Sequence, residues 1–385
     1  MTDTGPEADG PSAVSGGGGA GLRPAGAGPG RSREKRYLIL AEGRSQDPHY
    51  GKTARGVLKY GREPVVAILD STHAGETYDG VPVVSSVNDA LCFDPTTALV
   101  GVATQGGRFP PAWRELLKAS ISKGLDLENG LHEFVSEDPE LVELASRHSV
   151  ELRDLRKPPP DLNVPTGANL EVPATIALTV GSDCAIGKMT VSLELDRAAR
   201  ERGLASAFVP TGQTGIAIAG WGIAVDAVVS DFIAGATEQL VVEGYERGGR
   251  DVLWVEGQGS VVHPAYSGVT LGLIHGSVPH VYVLCHLAGS TEVEGYPGHP
   301  LPSLPELVEL HERLALPVRP AHVACIALNT RFLDEAEAQE AVASTEAETG
   351  LPTDDPVRFG AGRLLDAVLQ GPAAQRNRPQ GLLSG

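Results

Sequence analysis

The segment at residues 181–190 constrains the fold of this chain more than any other part of its sequence. It reads GSDCAIGKMT, and it lies between an apolar run at 176–180 and a stretch with the apolar spacing of an amphipathic helix. A glycine-rich turn from a strand into a helix points backbone N–H groups and the positive end of the helix dipole at an anion. Lys188 adds a positive charge suited to phosphate oxygens. The segment therefore predicts a phosphate-binding loop in an α/β fold.

The residues predicted to bind the phosphate-bearing ligand are Gly181, Ser182, Asp183, Ala185, Ile186, Gly187, Lys188, Met189 and Thr190. Five residues separate the two glycines, where the common motif has four. Met189 stands where Ser or Thr usually follows the lysine, and Thr190 comes one position later. If a nucleotide with Mg²⁺ binds, we expect Thr190 to be a metal ligand. The alternative is a glycine-rich turn that only joins a strand to a helix.

Apolar runs alternate with helical patterns over most of the chain. The runs typical of buried strands fall at 37–41, 65–70, 98–102, 175–180, 205–209, 251–255, 280–284 and 321–328. A helix is predicted over 190–202, directly after the loop. Strands and helices that alternate at this spacing indicate parallel sheets. The predicted fold class is α/β, with a Rossmann-like N-terminal domain followed by a P-loop NTPase-like parallel-sheet domain.

Composition sets the predicted domain boundaries. Pro158-Pro159-Pro160 opens a stiff, polar segment, so residues 158–173 are predicted to link domains at 34–157 and 174–371. Residues 1–33 are rich in Gly, Ala, Pro and Ser, which predicts a disordered leader. Residues 372–385 are predicted to form a flexible tail.

The charge balance and the cysteines exclude several classes of protein. The chain has 31 Lys and Arg against 49 Asp and Glu, a formal net charge of −18, which argues against binding to nucleic acids or anionic membranes. No apolar run approaches the roughly 18 residues of a membrane span. The four cysteines lie far apart and form no C-x-x-C pair, so we expect reduced thiols and a cytoplasmic protein. The expected partner is a small-molecule substrate, and we expect a homo-oligomer.

A second motif places a carboxylate near the loop. Glu256 follows an apolar strand and precedes Gly257-Gln258-Gly259. The carboxyl ends of parallel strands lie at one edge of a sheet, where ligands bind. Glu256 and Asp183 are therefore predicted, with Thr190, to hold Mg²⁺ if a nucleotide binds. A residue that caps a helix or forms a turn is the alternative.

A third motif, PTGQTG at 210–215, follows the strand at 205–209. Its hydroxyl and amide groups can hydrogen-bond a carboxylate or a phosphoryl group, so the residues predicted to bind substrate are Thr211, Gly212, Gln213 and Thr214. A mobile glycine-rich loop is the alternative. Asp231 is a candidate to orient Lys188 or an amine substrate, although a solvated helix surface explains it nearly as well.

Three further side chains are candidates for the catalytic or ligand-binding site. His263 and Tyr266 follow the Glu256 motif, and an imidazole titrates near neutral pH, so His263 is a candidate acid, base or orienting group. Tyr266 is a further candidate for contact with the substrate. A structural histidine is the alternative. Asn329, after the strand at 321–328, is predicted to read a nucleobase edge through its amide.

The loop at 181–188 together with Val255-Glu256-Gly257 resembles dethiobiotin synthetase and related P-loop enzymes. Residues 37–370 resemble more closely a two-domain family formerly of unknown function, with D-glutamate N-acetyltransferase as one characterised branch. This resemblance rests on the Gly-Lys loop, the motif at 210–215, Glu256-Gly257-Gln258-Gly259, His263-Pro264 and the stretch at 124–132. It implies a Rossmann-like domain paired with a P-loop domain, and acetyl-CoA as co-substrate.

The resemblance thus implies an N-acetyltransferase that uses acetyl-CoA and acts on D-glutamate or a related D-amino acid. The loop would hold the CoA phosphates, and the motif at 210–215 would anchor the acceptor carboxylate. The acceptor ammonium must lose a proton before its lone pair attacks the thioester, so a base is required. The candidate catalytic residues are Lys188 and, as the base, Asp231, Glu256 or His263.

Two other functions stay open at the level of the sequence. One is an ATP- and Mg²⁺-dependent ligase or kinase of the dethiobiotin-synthetase type, in which Lys188 and the metal stabilise the γ-phosphate during transfer. The other is a protein that binds a nucleotide or CoA without turnover, because no base or nucleophile stands out in the sequence.

Overall fold

The computed structural model describes the backbone of residues 34–47, 51–102, 107–110 and 112–376, and side chains up to residue 370. The predicted leader at 1–33 and residues 377–385 of the predicted tail lie outside the described residues. None of the described helices has both the length and the apolar character needed to cross a bilayer. A homo-oligomer and a cytoplasmic location stay predictions.

The first half of the chain folds into a seven-stranded sheet with helices between its strands. Its elements are β1 (Tyr37–Leu40), α1 (Lys52–Tyr60), β2 (Val65–Leu69), β3 (Thr77–Tyr78), β4 (Val81–Val84), α2 (Val87–Ala90), β5 (Thr97–Val100), α3 (Trp113–Ser122), β6 (Asp126–Asn129), α4 (Pro139–His148) and β7 (Leu152–Asp154). The strand order is β3-β4-β2-β1-β5-β6-β7, and every pair is parallel except β3 with β4. This arrangement confirms the predicted Rossmann-like domain.

The second half forms a six-stranded, wholly parallel sheet. Its elements are β8 (Thr175–Gly181), α5 (Lys188–Glu201), β9 (Ser206–Val209), α6 (Gln213–Ala219), α7 (Ile233–Glu246), β10 (Val252–Val255), α8 (Ser267–Ser277), β11 (Val281–Leu287), α9 (Leu304–Arg313), β12 (His322–Asn329), α10 (Glu335–Thr349), β13 (Thr353–Asp354) and α11 (Gly362–Arg376). The strand order is β13-β12-β11-β8-β10-β9. The predicted parallel P-loop domain is confirmed, and α11 continues into the segment predicted as the tail.

Strand β8 is buried on both faces, and two glycines shape the chain around it. Every residue of β8 is buried, as expected for a central strand with helices on both faces. Gly187, with a φ of +114°, ends the loop, and α5 begins at Lys188, ahead of the predicted start at 190. A β-carbon at Gly257, just after β10, would lie 1.8 Å from the carbonyl oxygen of Thr179. Only glycine therefore lets the chain after β10 pass this close to β8.

The predicted linker at 158–173 is packed against α7. Thr166 and Gly167 donate their backbone N–H groups to the Glu238 carboxylate, at 2.7 and 2.5 Å. A β-carbon at Gly235 would lie 1.7 Å from the carbonyl oxygen of Asn163. These contacts fix the linker on the P-loop domain, so it is more than a spacer.

The hydrophobic core of the N-terminal sheet extends across the domain boundary. It includes apolar side chains from the second half of the chain, namely Leu193, Phe208, Ile216, Ala217, Ile218 and Ala224. Thr53, at the start of α1, contacts Thr214 of α6, and Gly130, just after β6, contacts Gln213. The segments that follow β1, β6 and β9 therefore meet at the domain boundary.

Candidate functional site

The loop at 181–188, from here on the phosphate loop, connects β8 to α5 and is braced by its neighbours. Ser182 donates its backbone N–H to the Cys285 carbonyl oxygen at 3.1 Å, and its own carbonyl accepts the Ser260 hydroxyl at 3.0 Å. The side-chain amide of Asn329 donates to the Ile186 carbonyl oxygen at 2.8 Å. These bonds hold the loop against β11, the end of β12 and the segment that follows β10. Asn329 thus supports the loop, and its contact with a nucleobase stays a prediction.

The phosphate loop offers hydrogen-bond donors that have no acceptor. Among the described residues, nothing accepts the backbone N–H groups of Asp183, Ala185, Ile186 and Gly187. Lys188 is buried, and its ammonium donates to the Asp183 carbonyl oxygen at 2.6 Å. Burial lowers the pKa of Lys188, and no described carboxylate forms an ion pair with it. Unpaired donors beside an uncompensated positive charge are the features of an anion-binding site.

Asp183 and Cys184 of the phosphate loop lie beside His263. The Asp183 carboxylate accepts the backbone N–H groups of Cys184 and Glu294, at 2.6 and 2.7 Å. One carboxylate oxygen of Asp183, the Cys184 sulfur and one ring nitrogen of His263 all lie within 4.8 Å of one another. Burial raises the pKa of the Cys184 thiol. Sequence reasoning assigned Cys184 no role, although its place inside the glycine-rich motif was a usable signal.

His263 is oriented by a hydrogen bond and by two aromatic rings. Its Nδ1 accepts the backbone N–H of Ala265 at 3.1 Å, which leaves the proton of the neutral ring on Nε2. Tyr266 stacks on the imidazole with ring centroids 4.6 Å apart, and Tyr296 meets it edge-on at 5.0 Å. Burial lowers the pKa of His263, which favours the neutral ring. His263 is therefore placed to donate a hydrogen bond rather than to accept a proton.

Glu256 ties the end of β10 to the start of α6. Its Oε2 accepts the backbone N–H groups of Thr211 and Gly212, at 2.9 and 3.0 Å. The side chain is buried, and burial raises its pKa to about 7, against the opposing effect of these two hydrogen bonds. A β-carbon at Gly215 would lie 2.4 Å from Oε2, so glycine is needed there. Glu256 therefore fixes the turn that leads into α6, and its raised pKa lies near neutral pH.

Two residues of the predicted substrate motif, Thr211 and Gly212, hold Glu256. The Thr211 side chain is fully buried, and its hydroxyl donates to the Glu256 carbonyl oxygen at 2.6 Å. The Gln258 amide donates to the same hydroxyl at 3.2 Å. Contact of Thr211 and Gly212 with a substrate stays a prediction, whereas their bonds to Glu256 are structural facts.

The other two residues of the predicted substrate motif, Gln213 and Thr214, lie at the domain boundary. The hydroxyl oxygens of Thr214 and Thr53 are 2.8 Å apart. A β-carbon at Gly130 would lie 3.0 Å from Cγ of Gln213, so this glycine lets the two domains approach. The motif at 210–215 therefore faces both Glu256 and the N-terminal domain.

The remaining candidates are spread more widely. Asp231 lies exposed in a short helical turn at 230–232, and among the described residues it forms no hydrogen bond or ion pair with the phosphate loop. Thr190 is half-buried in the first turn of α5. Of its predicted partners in Mg²⁺ binding, Asp183 and Glu256 both already accept backbone N–H groups. A Mg²⁺ ion would have to share these oxygens with the chain, and the metal stays a prediction.

Sequence reasoning missed Lys52. Helix α1 begins at Lys52 directly after Gly51, just as α5 begins at Lys188 after Gly187. The repeated Gly-Lys pair at the start of a helix, after the first strand of each domain, was the available signal.

Fold and loop together define a two-domain α/β protein with a P-loop in its second domain. Residues 70–158 match a family described as "Domain of unknown function (DUF1611_N) Rossmann-like domain". Residues 163–365 match "Domain of unknown function (DUF1611_C) P-loop domain". This chain belongs to the DUF1611 family.

Known relatives agree with this assignment. A D-glutamate N-acetyltransferase from Tritonibacter scottomollicae is 37% identical over 74% of this chain and 84% of its own length. A D-glutamate N-acetyltransferase from a Pseudoalteromonas species is 35% identical over 73% and 83%. The crystal structure of a DUF1611 family protein from Anabaena variabilis has 44% identity and a TM-score of 0.82, over 87% of this chain and 99% of that one. The resemblance inferred from the motifs is confirmed.

Proposed function

We propose that this chain transfers the acetyl group of acetyl-CoA to the amine of D-glutamate or a related D-amino acid. The two relatives named D-glutamate N-acetyltransferase support the activity. The unpaired donors of the phosphate loop support a co-substrate that carries phosphate groups. Acetyl-CoA is both an acetyl donor and a phosphate-bearing molecule.

The buried ammonium of Lys188 is the observation that carries the proposal of a phosphate-bearing co-substrate. It bonds only to the Asp183 carbonyl oxygen among the described acceptors. In our proposal a CoA phosphate accepts from Lys188 and from the free N–H groups of the loop. A phosphate carries the opposite charge to the ammonium and also gives the free N–H groups of the loop an acceptor, so this exchange favours the bound phosphate.

Glu256 is the best placed of the three candidate bases. Its pKa of about 7 lets it lose its proton at neutral pH and then accept one from the acceptor. His263 is less suitable because its Nδ1 accepts an N–H and its Nε2 carries the ring proton, so neither nitrogen can take another proton, whereas the N–H groups of Thr211 and Gly212 occupy only Oε2 of Glu256. Asp231 lies exposed at the surface. In the proposed reaction, Glu256 takes a proton from the acceptor ammonium, and the amine lone pair attacks the thioester carbonyl carbon. The C–S bond then breaks, and the departing thiolate takes up the second proton of the nitrogen.

An ATP- and Mg²⁺-dependent ligase or kinase is the second candidate. A P-loop beside an acidic residue also suits a nucleoside triphosphate, which is the observation in its favour. Met189 in the place of the usual Ser or Thr, and the commitment of Glu256 to the start of α6, favour acetyl-CoA instead.

The experiment offers the purified protein D-glutamate with acetyl-CoA, or D-glutamate with Mg-ATP, and follows free thiol and inorganic phosphate. We expect thiol release that depends on D-glutamate, and N-acetyl-D-glutamate as the product. L-glutamate is the matched control for the chirality of the acceptor. Phosphate release without thiol release would overturn the proposal in favour of the ATP-dependent reaction. Binding of CoA without any turnover would overturn it in favour of a non-catalytic binding protein.

A further inference from the structure

The N-terminal domain presents a second Gly-Lys helix start to the P-loop domain. Lys52 is the first residue of α1, and the next residue, Thr53, is bonded to Thr214 at 2.8 Å. A β-carbon at Gly56, one turn further along, would lie 2.9 Å from Cγ2 of Thr214 and 3.4 Å from Cε of Met189. The start of α1 is therefore packed on the substrate motif and on the first turn of α5.

The charges that act on Lys52 come mostly from the P-loop domain. The surrounding protein lowers the pKa of Lys52 and Arg156 lowers it further, whereas the carboxylates of Glu256 and Asp226 favour its charged form. Asp226 is itself ion-paired with Arg156. Among the described residues, none forms a hydrogen bond or an ion pair with the Lys52 ammonium. Lys52 is an exposed residue, so a ligand can reach its side chain.

A lysine with a structural role pairs its ammonium with a carboxylate, as Lys59 on the same helix pairs with Glu194. Lys52 instead lies near Glu256, where our proposed reaction needs the acceptor amine. An anionic group of the ligand is the partner that would compensate Lys52.

We propose that Lys52 binds a carboxylate of the acceptor amino acid, so that the N-terminal domain supplies part of the acceptor site. The inference rests on the proposed function for the identity of the acceptor. The phosphate loop and Lys188 already provide for the phosphates of the donor, and Lys52 is joined through Thr53 to the motif at 210–215. With one acceptor carboxylate assigned to the motif at 210–215 and a second to Lys52, a dicarboxylic acceptor is favoured over a neutral amino acid.

The test compares Lys52→Met with Lys59→Met on the same helix. Lys59 is exposed and pairs with Glu194, 3.3 Å away, so it serves as the matched control. We expect Lys52→Met to raise the KM for D-glutamate by about tenfold to a hundredfold, the value of one hydrogen bond between charged groups. The KM for acetyl-CoA and the melting temperature should stay at their wild-type values. Lys52→Arg should restore part of the affinity, and Lys59→Met should behave like the wild type.

Calorimetric titration with D-glutamate, with and without CoA, separates this inference from the proposed function because it needs no turnover. Weaker binding to Lys52→Met than to Lys59→Met supports the inference even if no acetyl transfer occurs. Equal binding to the two variants would overturn it. A higher KM for acetyl-CoA with an unchanged KM for D-glutamate would also overturn it, and would assign Lys52 to the donor phosphates. A wild-type chain that binds no D-glutamate would overturn the acceptor assignment itself.

Discussion

The hydroxyl oxygens of Thr53 and Thr214 lie 2.8 Å apart, with both side chains buried. This bond joins α1 of the N-terminal domain to α6 of the P-loop domain, directly beside the motif that follows β9. The acceptor site that we propose is built from both of these elements. Its geometry therefore depends on contact between the domains.

The bond between Thr53 and Thr214 predicts a coupling that unfolding can measure. Thr53→Val or Thr214→Val leaves one buried hydroxyl unpaired, so each change should cost about 1–3 kcal/mol. The double variant should cost little more than either single one, because no unpaired hydroxyl is left. Urea unfolding of the four proteins gives the interaction energy. Costs that simply add would contradict a bond between the two side chains.

Gly257 is predicted to tolerate no side chain. Its β-carbon would meet the Thr179 carbonyl oxygen at 1.8 Å and Cδ of Lys188 at 3.0 Å. Gly257→Ala should therefore destabilise the protein by about 3 kcal/mol and weaken CoA binding. Gly268→Ala in α8 is the control, since nothing lies within 4 Å of its β-carbon. Similar melting temperatures for the two variants would contradict the close approach of β8 and the loop after β10.

The central strands were predictable because a buried parallel strand is a continuous apolar run. The runs predicted at 175–180 and 251–255 are of this kind, and strands lie at Thr175–Gly181 and Val252–Val255. The edge strands β7 and β13 were not predicted, because their short sequences contain charged or polar residues and have no apolar pattern. They form by pairing with β6 and β12, which lie far away in the sequence.

The pKa of Glu256 predicts how stability depends on pH. Burial raises this pKa from 4.5 to about 7, so the folded chain binds the proton more tightly than the unfolded chain does. The resulting stabilisation is complete below pH 4.5 and is lost as the pH rises to about 7, a total of about 3 kcal/mol. Glu256→Gln stays neutral, so its stability relative to the wild type should increase over this range. A difference between the two unfolding free energies that is the same at pH 5 and pH 8 would contradict this pKa.

The same carboxyl group predicts the pH dependence of catalysis. As the base, Glu256 must be ionised, so kcat/KM should rise with pH through about 7. Glu256→Gln should lower kcat by about a hundredfold or more and remove this inflection. Steady-state rates between pH 5 and pH 9 check the prediction, and Asp231→Asn is the control at an exposed candidate. An inflection that persists in Glu256→Gln would assign the base to another group.

The sequence predicted the phosphate loop correctly as a structure, because glycine spacing and a strand–helix junction are local patterns. It did not predict the hydrogen bonds that Thr211 and Gly212 donate to Glu256, or that Lys52 lies beside the motif at 210–215. Thr53 and Thr214 are 161 positions apart, and no local pattern reports a contact over that distance. These parts of the site come from the packing of one domain on the other.

A comparison of two acetyl donors tests whether the phosphate loop holds the CoA phosphates. Acetyl-pantetheine carries the thioester but no phosphate, so kcat/KM for this donor should be far below that for acetyl-CoA in the wild-type protein. Lys188→Ala should lower kcat/KM for acetyl-CoA by about tenfold to a hundredfold and leave the value for acetyl-pantetheine unchanged. Equal losses with both donors would show that Lys188 does not act on the phosphates, and would contradict the function proposed for the loop.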